Sequence, residues 1–595
     1  MSFPTSPDLL PPEIDLLRRR WRLPSERVDD VKALLDEQAR GGTAGLLPST
    51  SPTTPASWGC AVQLASTAIE GDLPAPTPLV LQHIRDTVYI QSWRFFQAEH
   101  TIAHHLLARA ARPAPALTRP SADLLASLGT DKINPLQAQA IDCALNHSLA
   151  LITGGPGTGK THTLARLLAL LLADHPVGKP PIIRLAAPTG KAAERMKEAI
   201  ESAADHLPAT LPPDTQVSLK AAAATACTLH KLLGFHPGTG VCRHHAKSPL
   251  HCDVLIIDEC SMVDTLQWRA LLTALPATAR LILLGDPNQL ESVSAGDVLG
   301  SLVRQARSHP QSPLAGTWVE LTDSIRFRAH PAIGALAEAV VNLQADAAIH
   351  LLTTHRLNNP DAPLPADGLN WLGDHGGHFA WSSLPSPVQA ALAAVADAPS
   401  PSEALAALSR VRLLAAHREN TVGVAGLNAS IERHLLSRSD ANRAPSQSPK
   451  INRPIIINRN DPETGLTNGS VGIIMPDTDG VNTAFFPGDS ATAALRRVSC
   501  GQLPDHSAAW AMTIHRSQGS EFEQIVVILP SDESPLATRE LIYTAITRAK
   551  SCVHVCGAES AVRKALTNSA IRCTLLESAL TAAEYEPKNV LGRSS

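Results

Sequence analysis

The chain has 595 residues, 44% of them hydrophobic and 18% charged, with a net charge of −4. That length exceeds what one hydrophobic core organises and implies roughly three or four domains. The faintly acidic balance excludes a global positive field, so any nucleic-acid contact must sit in a local groove. The ten cysteines have no repeating spacing and read as reduced thiols of a cytoplasmic protein. The opening MSFPTSPDLLPPEIDLL lacks the basic-then-apolar pattern of a secretory signal. No stretch has the roughly 18 uninterrupted apolar residues of a membrane span, so no membrane contact is expected.

In chain order, residues 1 to 115 hold amphipathic helical runs at Val28–Ala39 and Ser92–Ala111, separated by a linker rich in Pro, Ser and Thr. The Pro-rich segment Pro113–Pro120 marks a boundary. From Leu149 onward, short apolar runs alternate with amphipathic helical stretches: Leu149–Thr153, Ile182–Ala187, Val254–Asp258 and Leu281–Gly285. Such runs are what strands look like when a parallel sheet buries both faces. Polar residues follow the C-terminal end of each run, where open α/β sheets bind ligands. Val411–Ala416, Ile525–Leu529 and Val553–Cys556 predict a second α/β unit. Lys450–Met475 and Ala484–Ser499, rich in Gly, Asn and β-formers, predict a small β-barrel inserted within it. Residues 345–405 are Pro- and Ala-rich and give no clear pattern.

LITGGPGTGKTHT reads as strand, glycine-rich loop and helix start, and fits G-x-x-x-x-G-K-[ST] at Gly154, Gly159, Lys160 and Thr161. The loop residues Gly154, Gly155, Pro156, Gly157, Thr158 and Gly159 let backbone N–H groups curl around phosphates, and the helix N-terminus adds its positive end. Lys160 supplies a mobile charge for the β- and γ-phosphates of ATP, and Thr161 a hydroxyl for Mg²⁺. In DVLIIDECSMVD, Asp258 can join Thr161 on the Mg²⁺, and Glu259 can orient and deprotonate a water. An acidic pair alone is weak; after a buried strand downstream of a phosphate loop it is strong. LILLGDPNQL places Gln289 to sense the γ-phosphate, with Asp286 in support, and INPLQAQAI sets Gln137 where its amide can read the adenine edge. Arg326 in LTDSIRF and Arg548 in LIYTAITRAK are candidate cations for the γ-phosphate; either one alone reads as a surface charge.

Taken together these segments resemble superfamily 1 helicases and, within them, the RecD family, the α subunit of exodeoxyribonuclease V. The carrying residues are LAAPTGKAAERM (185–196), TACTLHKLLG (225–234), DVLIIDECSMVD (253–264), LILLGDPNQLESVSAGDVLG (281–300), LTDSIRF, AWAMTIHRSQGSEF (509–522) and TRELIYTAITRAK (538–550). They span residues 133 to 550 in the family's order.

The resemblance implies an α/β fold of two RecA-like parallel-sheet P-loop domains, with a helical N-terminal domain and the β-barrel insertion in the second motor domain. The implied division is 1–115 for partner docking, 120–318 for motor domain 1, 319–440 with 505–595 for motor domain 2, and 441–504 for the insertion. It implies DNA contacts from Pro188, Thr189, Gly190, Lys191, Thr228 and His230 in the first domain. In the second it implies Thr513, His515, Ser517 and Gln518, with Glu521 on the ribose. By the same resemblance the activity is ATP-dependent 5′→3′ unwinding of DNA, on single strands and duplex ends, in recombinational repair. Implied partners are RecB-like and RecC-like subunits in a heterotrimer, because the front is short and VYIQSWRFFQAEHTIAHHLL resembles the family's docking segment. A stand-alone superfamily 1 helicase, or an ATP-gated DNA clamp without unwinding, is the alternative. Cys260, Lys231 and Arg516 depart mildly from the family pattern, and none removes a chemical group the reaction needs. Cys242, His244, His245, His251 and Cys252 have metal-like residue types at a spacing that fits no standard zinc pattern.

Overall fold

A computed structural model describes residues 12–584, apart from 49–56, 59–61, 66–76, 116, 129–132, 175–179, 209, 364, 375, 442–450, 489–493, 531–533 and 569–571. The expected helices Val28–Ala39 and Trp93–Ala110 are present in the N-terminal region. That region also carries a sheet the sequence pattern did not reveal. Strands β1 (Ala44–Leu46), β2 (Val62–Ala65), β3 (Leu79–Ile84) and β4 (Thr87–Ser92) pair in the order β1-β4-β3-β2. The helix that follows β4 leaves this sheet, and its Ile102, Ala103 and Leu106 enter the core of the first motor lobe.

The first lobe is a six-stranded sheet built from β5 (Leu149–Gly154), β6 (Ile183–Ala187), β7 (Cys227–Thr228), β10 (Val254–Ile257), β11 (Arg280–Gly285) and β12 (Trp318–Leu321). A small hairpin, β8 (Phe235–His236) with β9 (Val241–Cys242), projects between β7 and β10. The order is β12-β5-β11-β10-β6-β7, with every pairing parallel. All residues of β5, β10 and β11 are buried, which is why their sequences read as unbroken apolar runs. Their side chains divide by the two-residue strand period: Leu255 and Ile257 enter one core, Val254 and Ile256 the other. The expected break at 318/319 falls inside β12, and this sheet runs on to Leu321.

The second lobe is a five-stranded parallel sheet of order β13-β22-β21-β14-β20. Here β13 is Leu369–Gly373 and β14 is Val411–Ala415. Between β14 and the rest lies the insertion: β15 (Arg453–Ile457), β16 (Val471–Pro476), β17 (Asn482–Phe486), β18 (Arg496–Ser499) and β19 (His506–Ala508). The remaining lobe strands are β20 (Ala511–Thr513), β21 (Phe522–Ile528) and β22 (Ala549–Cys556). The insertion is antiparallel in the order β18-β17-β16-β15-β19, and among the described residues no pairing joins its two edge strands. It does not stand apart, because Ile473, Met475 and Phe485 share a core with Leu413 and Val526 of the second lobe. Residues 345–405, which the pattern left unplaced, supply β13 and the helices Ala345–Thr354, Ser386–Asp397 and Pro401–Arg410 that cover this sheet.

The tail does not finish in the second lobe. Helix Leu576–Glu584 returns to the first, where Leu576, Ala579 and Leu580 join the core that Ile102 and Leu106 enter. Among the described residues no helix is long and apolar enough to cross a membrane.

Leu283 sits fully buried in mid-sheet, registered against Ile257 on one side and Leu151 on the other. Leu283→Ala is expected to cost about 2–5 kcal/mol, read as a lower thermal midpoint of the first lobe. Val481→Ala, at a 61% exposed position, should stay within about 0.5 kcal/mol of the parent.

Candidate active site

The glycine-rich loop joins β5 to helix Lys160–Ala173. Gly157 and Gly159 have φ of 75° and 84°, a left-handed backbone that side chains disfavour. Space is a second constraint. A Cβ on Gly157 would lie 2.6 Å from Arg326 Cβ, and one on Gly159 2.5 Å from the Gln137 amide nitrogen. The Lys160 ammonium donates to the Gly154 and Gly155 carbonyls at 2.5 and 3.0 Å, and the Thr158 hydroxyl to the Gly155 carbonyl at 2.8 Å.

Gln137 lies directly behind this loop. Its side chain closes a capping box with Asn134 at the start of helix Pro135–Asn146, and its Nε2 donates to the Thr158 carbonyl at 3.2 Å. In this structure the amide supports the loop. Ser324 and Ile325 brace the other side: the Ser324 hydroxyl donates to the Pro156 carbonyl at 2.8 Å, and Ile325 N–H to the Gly157 carbonyl at 3.1 Å.

Asp258 and Glu259 follow β10. Glu259 has φ of 53°, a left-handed conformation rare outside glycine, and such outliers cluster at functional sites. The Glu259 N–H donates to Asp258 Oδ1 at 2.8 Å. Burial and the adjacent Glu259 charge push the Asp258 carboxyl above its ordinary value, and Lys160 opposes them. Asp258 shares its cavity with Thr161 and the phosphate-binding loop, a donor set that would suit a divalent cation, and Asp258 and Thr161 are the residues that could hold it.

The cavity between the lobes encloses about 290 Å³ and is lined by Lys160, Thr161, Asp258, Glu259 and Gln289, with Arg195, Arg326, Glu521 and Arg548. Residues far apart in sequence therefore meet in one place. Glu521 of the second lobe is the hub: Arg195 Nη2 lies 2.8 Å from its Oε2 and Arg326 Nη2 2.7 Å from its Oε1. Burial alone would raise the Glu521 pKa, but the charges of Arg195 and Arg326, with Arg548 behind them, bring it down to about 2. The carboxylate expected on a ribose is here an ion-pair partner of two arginines. Arg548 is buried, with its Nε donating to the Thr544 carbonyl at 3.0 Å. Burial lowers its pKa, while Glu259 and Glu521 pull the other way.

The loop after β11 carries a second contact between the lobes. Asp286 Oδ2 accepts from Gln289 Nε2 at 3.1 Å and from the Tyr543 hydroxyl at 3.0 Å. Leu290 N–H donates to the Thr544 hydroxyl at 2.7 Å, and Gln518 Nε2 to the Leu290 carbonyl at 2.8 Å. Arg195 and Tyr543 were missed by sequence reasoning. Arg195 is one charge on an amphipathic helix, but Tyr543 is one of only three tyrosines in the chain, a signal that could have singled it out.

The residues expected on DNA divide into two groups. Pro188, Thr189, Gly190 and Lys191 follow β6, Thr228 ends β7 with His230 just beyond it, and Thr513 ends β20 with His515 just beyond it. All lie at C-terminal strand ends. Thr189 and Thr228 cap the helices that follow them, accepting from Ala192 N–H at 3.2 Å and Lys231 N–H at 3.3 Å. His230 is exposed and packs edge-on against Phe235. Lys191 lines a recess of about 580 Å³ with Arg412, Thr467 and Phe522. Although the residue is exposed along that recess, crowding by protein and then by Arg412 and Arg195 pushes its pKa down to about 7.

Ser517 and Gln518 are placed otherwise than expected. Ser517 is fully buried, with its hydroxyl on the Ile514 carbonyl, and Gln518 is committed to Leu290. Both work inside the protein here, as a turn closure and a lobe contact.

Two parallel sheets, a phosphate-binding loop and a cavity lined from both lobes define a P-loop helicase. A family model described as an AAA domain matches residues 137–295, and one described as a UvrD-like helicase C-terminal domain matches 508–556. The chain is 36% identical over 575 residues to the RecBCD enzyme subunit RecD of Mycolicibacterium smegmatis, covering 94% of this chain and 95% of that one. It is 34% identical to the RecBCD enzyme subunit RecD of Haemophilus influenzae, covering 70% and 67%. It is 27% identical to the ATP-dependent RecD2 DNA helicase of Deinococcus radiodurans, covering 71% of this chain and 49% of that one. The chain belongs to the RecD family, and its P-loop is an ATP-binding site.

Glu521 is charged in the fold from about pH 2 upward, against an ordinary value of 4.5, so its pairing adds stability that is complete above pH 4.5. The contribution is lost as pH falls toward 2. The gap in thermal midpoint between the parent and Glu521→Gln should therefore be full at pH 6 and close as the pH is lowered through this window. A gap that does not change with pH would contradict the pairing.

Proposed function

We propose that this chain is an ATP-driven DNA helicase that moves 5′→3′ along one strand. It works as the RecD subunit of a cytoplasmic heterotrimer with RecB-like and RecC-like subunits, opening duplex DNA ends for recombinational repair. The observation that carries the reading is the convergence of Arg195, Arg326, Glu521 and Arg548 on the cavity that holds Lys160, Asp258 and Glu259. A site completed by two lobes reports their closure, which is what a translocating motor requires.

In this reading the loop N–H groups and Lys160 hold the β- and γ-phosphates. Thr161 and Asp258 would hold Mg²⁺, which would neutralise phosphate charge. Glu259 accepts the proton of the attacking water, and its left-handed backbone sets its carboxylate at the end of β10. Arg326 and Arg548 stabilise charge developing on the γ-phosphate, with Arg326 exchanging Glu521 for the nucleotide as the site fills. Gln137 steadies the loop beside the base, and Gln289 reports the γ-phosphate to Leu290.

DNA is gripped at the strand ends through Pro188, Thr189, Gly190, Lys191, Thr228, His230, Thr513 and His515. Hydroxyl and backbone contacts of this kind hold phosphates without reading sequence. Gln518, two residues from Arg516 and bonded to Leu290, links that surface to the Gln289 side of the cavity.

The test is ATP hydrolysis and unwinding by the purified chain, alone and with its RecB-like and RecC-like partners, on duplexes with 5′ or 3′ tails. Lys160→Gln should abolish both activities. Arg548→Ala should lower kcat for hydrolysis by about 10³ while the variant still binds ATP. Normal unwinding by Lys160→Gln would contradict the motor reading; unwinding from a 3′ tail would contradict the polarity. Full activity from the chain alone, with no partner retained on gel filtration, would favour a stand-alone helicase.

A further inference from the structure

The tail residue Arg572 makes an unusual number of contacts for a side chain outside the cleft. Its Nε lies 2.7 Å from Glu291 Oε2. Its Nη2 donates to the Ser292 carbonyl at 2.6 Å, and its Nη1 to the Ser294 and Gly296 carbonyls at 2.8 and 3.0 Å. One planar fork thus fixes the loop 291–296, which directly follows Gln289 and Leu290. Only arginine presents donors in this fixed fan; a lysine ammonium is a point charge on a flexible stem. Glu291 is largely buried, and burial and the nearby Asp297 raise its pKa while Arg572 opposes them.

The same loop meets the N-terminal region. Gly296 N–H donates to the Gly41 carbonyl at 2.7 Å, and a Cβ on Gly41 would fall 2.5 Å from the Arg572 guanidinium carbon. Gly41 has φ of 94°, so both its conformation and its space are fixed by this contact. Next to Arg572, the Cys573 carbonyl accepts from Thr43 N–H at 2.8 Å, and Cys573 N–H donates to Glu37 Oε1 at 3.1 Å. Beyond it, Glu99 accepts from the Thr574 hydroxyl at 2.6 Å, the Thr43 hydroxyl at 2.6 Å and Gln91 Nε2 at 2.8 Å. The tail is therefore clamped by the N-terminal region on one side and grips the loop beside the cavity on the other.

We infer that Arg572 is a positioning residue for ATP turnover, holding loop 291–296 so that Leu290 engages Thr544 and Gln518, and thereby tying the N-terminal region to the closure of the two lobes. It touches neither nucleotide nor the reacting atoms. Its effect passes through Leu290, one residue from Gln289. A shift of the N-terminal region moves Gly41 and Thr43, hence the tail, hence the loop whose neighbour completes the cavity.

The inference rests on the reading of the cavity as the ATP-hydrolysing site, so Lys160→Gln accompanies the test. In the full chain with an oligothymidine activator, Arg572→Lys keeps the charge and loses the fork. It should lower kcat for ATP hydrolysis about 10- to 100-fold, leave KM for ATP within about twofold, and leave the protein folded at the assay temperature although its thermal midpoint falls. Glu291→Gln, which leaves the tail intact, should lower kcat in the same sense and serves if Arg572 variants do not fold. Values of kcat within about twofold of the parent for both variants would overturn the coupling while Lys160→Gln is inactive. An active Lys160→Gln would overturn the site reading and the coupling with it. A fall in kcat matched by an equal loss of folded protein would overturn the positioning role.

Discussion

One of the two contacts that join the lobes of this chain is built on a single carboxylate. Glu521 projects from the second lobe between Arg195, on the first, and Arg326, on the helix that follows β12. Neither arginine can be removed without leaving a largely buried charge short of a partner, which costs far more than a surface pair contributes. The same guanidinium groups line the cavity that contains the phosphate-binding loop. What holds the lobes together is thus made of the groups that a triphosphate would recruit. In the proposed mechanism Arg326 belongs to both the resting contact with Glu521 and the reactive one with the γ-phosphate, which would couple ligand binding to lobe geometry.

A second seam runs through the loop after β11. Asp286, Gln289 and Leu290 bond to Tyr543, Thr544 and Gln518 within a few residues of chain. Because Gln518 follows Thr513 and His515 at the C-terminal end of β20, this seam joins the loop after β11 to that strand end. The tail extends the seam backwards: helix Leu576–Glu584 returns to the first lobe, and Arg572 holds the loop by its carbonyls. The N-terminal region, the tail and the cleft are consecutive links of one packed arrangement.

Much of this was legible in the sequence because buried parallel strands leave a clear trace. The runs starting at Leu149, Ile182, Val254 and Leu281 became β5, β6, β10 and β11 nearly residue for residue. The polar residues after them fell at the cavity because open sheets place them there. Short or atypical pieces were less readable. AMT in β20 is too brief to show a period, LNWLG in β13 lies among Pro- and Ala-rich helices, β1 and β2 are only three and four residues long, and the hairpin of β3 and β4, turned at Arg85 and Asp86, runs straight into the helix that was expected there. Arg195 was invisible because it is one of 51 lysines and arginines, and only the packing of its helix against the second lobe selects it. Ser517 and Gln518 followed the motif correctly in position, yet the turn after β20 directs them inward. Motif position gives location in the chain; which way a side chain faces is decided by tertiary packing.

The most direct test of this account is a double-mutant cycle on kcat for ATP hydrolysis using Arg195→Ala, Glu521→Gln and the pair together. If the cleft works as a junction of two lobes organised by Glu521, the two changes act on one interaction, and their effects should be non-additive by at least about 1 kcal/mol. Effects that add to within about 0.5 kcal/mol would show that Arg195 and Glu521 act separately and would contradict the account.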